Sequence, residues 1–160
     1  MRDFKDSLLA GIAAARVAEN NRSEINSVLD NLNRQVKEIS QNKAIFSRGR
    51  FVRRQESNAA QAFVNLAQQL AMSHASKTYE GLGIYDSEGK NGIVIAEWTE
   101  DDSGYPCIVS CGGEKLVCSN KTELENALSY VLREVKTGEA ILTQIERFDK
   151  KEKPWEADPV

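Results

Sequence analysis

Residues 91–135 read NGIVIAEWTEDDSGYPCIVSCGGEKLVCSNKTELENALSYVLREV, and this stretch decides the fold. Ile93-Val94-Ile95-Ala96-Glu97-Trp98-Thr99 is an apolar β-branched run passing into alternation, the pattern of a strand. Glu100-Asp101-Asp102-Ser103-Gly104 then has turn composition, because Asp and Ser side chains bond their own backbone and Gly accepts positive φ. Residues 105–111 alternate again, with Tyr105, Cys107, Val109 and Cys111 on one face. Pro106 has no N–H to donate, so it belongs at a strand start or an edge. Gly112-Gly113 marks a tight turn, and residues 115–118 form the returning strand. Connections this short dictate an antiparallel meander.

A helix follows. Asn120 suits the N-cap, and Glu123 sits where a carboxylate can reach back in a capping box. Leu124, Ala127, Leu128, Val131, Leu132 and Val135 recur at helical spacing, and Lys136-Thr137-Gly138 has the composition of a helix end. The expected fold class is therefore α+β: an N-terminal long helix or helical hairpin, followed by an antiparallel β-meander packed by a C-terminal helix.

Upstream of this stretch, residues 77–85 read as an earlier strand and 86–92 as a loop. Ser57 and Asn58 can cap a helix at 57–76 whose apolar face carries Ala59, Ala62, Phe63, Leu66, Ala67, Leu70 and Ala71. Ala140, Ile141, Leu142, Ile145 and Phe148 fit a short helix or a closing strand. The chain divides into a coiled-coil-like helical arm (1–42), a basic connector (43–56), an α+β domain (57–148) and a charged, Pro-containing tail (149–160) expected to be mobile.

In the arm, Ile25, Leu29, Leu32, Val36 and Ile39 are spaced as a heptad seam. The same register run backwards meets Arg22, Ala18, Ala15, Gly11, Leu8 and Phe4, all small or apolar except Arg22. One continuous helix over 3–41 is expected; a break at Asn20-Asn21, with Ser23 capping a second helix, is the alternative. Such a seam needs a partner. It is either the protein's own core or, as a coiled coil, the contact of a homodimer through Ile25, Leu29, Leu32, Val36 and Ile39.

The connector holds Lys43, Arg48, Arg50, Arg53 and Arg54 without an acid among them, interleaved with Phe46 and Phe51. Guanidinium groups on phosphates and rings for stacking make nucleic acid the alternative partner, through Lys43, Arg48, Arg50, Phe51, Arg53 and Arg54. Against it, the whole chain carries a net charge of −3, too small to steer an anionic partner.

Chemistry is harder to place. The single His74 lies near the end of the 57–76 helix and has no nucleophile signature around it. Cys107 and Cys111 on one strand stand about 13 Å apart, too far for a shared zinc ion or a disulfide. Glu97, Glu100, Asp101 and Asp102 cluster at a turn, without the acid-x-Lys of a metal-dependent nuclease. No phosphate loop exists, so neither a metal nor a cofactor is expected. No apolar run reaches the roughly 20 residues of a membrane helix, and three cysteines without a signal peptide fit a reducing, cytoplasmic setting. The sequence therefore predicts a non-enzymatic binding or regulatory protein, a self-associating partner-binder that could serve as a small inhibitor or accessory factor.

Overall fold

Five strands pair in chain order: β1 (Ala44–Val52), β2 (Thr78–Asp86), β3 (Ile93–Asp101), β4 (Gly104–Cys111) and β5 (Glu114–Cys118). All four pairings are antiparallel, which makes the sheet the expected meander with one strand added at its start. The computed structural model describes residues 1–53 and 77–152. The helix expected at 57–76, His74, Arg54 and the last residues of the tail lie outside the described residues.

Among the described residues the sheet is accompanied by three helices: α1 (Lys5–Ile39), α2 (Lys121–Leu132) and α3 (Val135–Glu152). Alternation along the strands puts Phe46, Leu82, Ile84, Trp98, Cys107 and Val109 on one sheet face, and all six are buried. Helix α1 covers that face with Ile25, Leu29 and Val36, and α2 covers it with Leu124, Ala127, Leu128 and Val131. Each of the Ile, Leu and Val side chains among these contributes about 1.5–3 kcal/mol by leaving water. Helix α3 docks through Gln144, which is fully buried and donates to the carbonyls of Ile84 (3.0 Å) and Asn91 (2.7 Å).

Two boundaries differ from the sequence reading. Helix α2 keeps its predicted start: Asn120 Oδ1 accepts from the Glu123 N–H at 2.9 Å, and the Glu123 carboxylate accepts from Ser119 N–H at 2.8 Å. It ends early, at Leu132, because the buried Thr137 hydroxyl donates to the Val131 carbonyl at 2.7 Å and draws the chain into a new turn. Gly138 consequently sits inside α3, and 140–148 is helix rather than strand.

The second difference is larger. Residues 44–52, expected within a basic connector, form β1. Ala44 and Phe46 point into the core, but the arginines that continue the alternation hide the pattern from a hydrophobicity count. The arm and the α+β domain are likewise one body, since the C-terminal half of α1 supplies core residues to the sheet.

Candidate interaction site: the free end of helix α1

Helix α1 is unbroken from Lys5 to Ile39. Asn20-Asn21, read as a possible break, is continuous helix, and Asn21 with Arg22 anchors it to the β3–β4 turn. Asn21 Nδ2 donates to the Ser103 carbonyl at 2.9 Å, and the Arg22 guanidinium donates to the Asp102 carbonyl. Gly104 makes the close approach possible: its φ is +90°, and a Cβ there would lie 2.7 Å from that of Asn21. One turn further on, the Tyr105 hydroxyl donates to the Glu24 carboxylate at 2.8 Å. Burial raises the Tyr105 pKa, and the Glu24 contact pushes it further.

Beyond that anchor the seam has two fates. Ile25, Leu29 and Val36 are buried against the chain's own sheet, and Leu32 is partly buried beside them. These four were the expected dimer contacts. Ile25, Leu29 and Val36 are taken up by the chain's own core, while Leu32 keeps part of its surface exposed. Ile39, the fifth, lies 79% exposed at the end of the helix. Towards the N-terminus the same stripe of Ala15, Gly11, Leu8 and Phe4 runs into solvent, and every residue from 1 to 17 is exposed. Phe4, Leu8, Leu9 and Ile12 are each more than half exposed. At about 1.5 Å per residue, residues 5–17 project about 20 Å of helix past the anchor.

Gly11 sits in the middle of this stripe. A glycine inside a helix costs about 1 kcal/mol relative to alanine. No described atom lies within 4 Å of where its Cβ would be, so packing within the chain does not require the missing side chain.

The basic stretch is divided by its own strand. Arg48 and Arg50 share the parity of the core residues and lie on the helix-bearing face, whereas Phe51 and Arg53 lie on the other face of the sheet. Lys43 pairs with Asp149 at 2.8 Å, Arg48 lies 3.6 Å from Glu100, and Arg53 pairs with Glu97 at 3.0 Å while stacking on Tyr79. Phe51 lies over Gly81 and Gly83, where a Cβ would meet its ring at 3.0 and 2.7 Å. These residues therefore do not form one cationic face. Sequence reasoning could have found the split from the odd and even positions of the arginines alone.

The thiols are packing groups. Cys107 and Cys118 are opposite one another on β4 and β5, both buried, and burial with the neighbouring sulfur pushes the Cys107 thiol up to about 12. All three cysteines are free. Among the described residues, no group of three His, Cys, Asp or Glu side chains could hold a metal ion. No described helix is long and apolar enough to cross a membrane. Compared with known protein families, curated proteins and solved structures, the chain matches none.

Proposed function

We propose that this is a non-enzymatic binding protein that self-associates through the free end of α1. The observation that carries the reading is the fate of the seam: an apolar stripe that is covered from Ile25 to Val36 continues uncovered through Ala15, Gly11, Leu8 and Phe4. A second copy suits it because the stripe is self-complementary. Two arms running antiparallel about a point between Leu9 and Ala10 bring Phe4 of one against Ala15 of the other, and Leu8 against Gly11. Large meets small at every level, and Gly11 gains the role it lacks within one chain. The three free thiols fit a reducing, cytoplasmic setting for such a protein.

Light scattering over a dilution series tests this. The intact chain is expected at twice its 17.8 kDa mass, and Leu8→Glu at the single-chain mass with the same thermal melt. An intact chain that stays monomeric at high concentration, or a Leu8→Glu variant that stays dimeric, overturns the proposal.

A further inference from the structure

The sheet has two edges, β1 and β5, and an edge strand presents main-chain N–H and C=O groups that another strand can take up. On β1 the direction of these groups is fixed. The Arg53 N–H donates to the Lys77 carbonyl at 2.9 Å, so odd-numbered residues bond β2 and even-numbered residues aim their main-chain groups outward.

The first half of that edge is closed by α1 and the turn after it. The Ala44 N–H donates to Ser40 Oγ at 3.1 Å, and the Phe46 N–H donates to Asn33 Oδ1 at 3.0 Å. The second half is uncovered among the described residues. Ser47 Oγ donates to the Arg48 carbonyl at 3.1 Å. Among the described residues, nothing meets the N–H groups of Arg48, Arg50 and Val52 or the carbonyls of Arg50 and Val52.

Side chains select what can pair there. A second copy of β1 laid antiparallel on this edge would bring Arg48 and Arg50 of both copies together, and like charges across a strand pair are destabilising. An acidic strand meets the opposite situation. Arg50 is exposed and has no ion pair among the described residues, whereas Arg48 lies 3.6 Å from Glu100 and donates to Asn26 Oδ1, so Arg50 is the freer cation of the two. On the other sheet face the neighbours are Gly49 and the Phe51 ring, which favour an apolar side chain.

We propose that residues 48–52 form a strand-addition site for an extended peptide segment in which acidic and apolar residues alternate. Main-chain bonds to Arg50 and Val52 supply the pairing, and the Arg50 guanidinium reads the acid, with the charge of Arg48 beside it. The site is separate from the free end of α1 and does not depend on its self-association.

The test is a fluorescence-anisotropy titration of the intact protein with a labelled eight-residue peptide of alternating Glu and Val. Saturable binding is expected, and it should be lost when the peptide's amides on the β1-facing side are N-methylated or when Lys replaces Glu. Arg50→Glu should weaken binding by about tenfold or more, the scale of one charge-assisted hydrogen bond, while Arg50→Lys keeps most of it. Arg50 is exposed, so an unchanged thermal melt checks that Arg50→Glu still folds. Leu8→Glu should bind the peptide as the intact chain does, which separates this site from the arm. Absence of saturable binding, equal binding of the N-methylated peptide, or an unaffected Arg50→Glu variant overturns the proposal.

Discussion

The two halves of α1 carry one apolar stripe at one spacing, yet the protein uses them in opposite ways. From Ile25 to Val36 the stripe closes the sheet; from Phe4 to Ala15 it faces water. A heptad therefore specifies that a face will be covered and leaves open by what. What separates the halves is the polar anchor of Asn21 and Arg22 on the β3–β4 turn, where the sheet ends beneath the helix. Ile25→Ala should cost about 2–5 kcal/mol, the usual range for emptying a filled core site, and lower the melting temperature without changing the mass in light scattering. If Ile25→Ala instead dissociated the protein while leaving its melt intact, the seam would be an interface after all.

A smaller effect acts on the sheet and its turns alone. Asp86, at the β2–β3 turn, is buried, and burial pushes its carboxyl up. The Asn91 amide (2.7 Å), the Lys90 and Glu88 N–H groups (2.9 and 3.0 Å) and the charge of Lys151 outweigh that and leave it below the ordinary carboxylate value. A depressed carboxyl contributes stability that is complete above the unfolded-state value and is lost as pH falls through the folded one. Asp86→Asn should therefore melt lower than the parent at neutral pH, because its amide nitrogen would face the Asn91 donor. The gap should close below about pH 4. A gap that stays constant across that range would mean the charge of Asp86 contributes nothing.

The sequence made the meander and the start of α2 legible because their signals are local. Gly112-Gly113 sets a two-residue turn, and Asn120 with Glu123 satisfies helix-end donors from within four residues. β1 was not legible, because Arg48 and Arg50 occupy positions where a hydrophobic pattern looks for apolar residues. The end of α2 depended on a hydroxyl six residues away, which no cap rule anticipates. As for the candidate site, the stripe was fully written in the sequence, including the small residues of its first half. Which half would be free was not, since that depends on where the β3–β4 turn meets α1, a contact between residues about eighty positions apart.

Gly11 offers the finest discrimination between the halves, through the smallest possible change. In an exposed, unpartnered helix, Gly11→Ala should stabilise by about 1 kcal/mol, because alanine loses less backbone freedom on folding. If Leu8 of a second arm packs on Gly11, the added methyl group forces the helices apart, and association should weaken by about tenfold while the helicity of the separated chains rises. The two quantities move in opposite directions only if Gly11 lies in a contact. Circular dichroism of the dilute protein and the midpoint of its dissociation, read on the same variant, distinguish the cases. A Gly11→Ala variant that both gains helicity and associates more tightly would place the glycine outside any interface and remove the main reason for pairing the arms at that register.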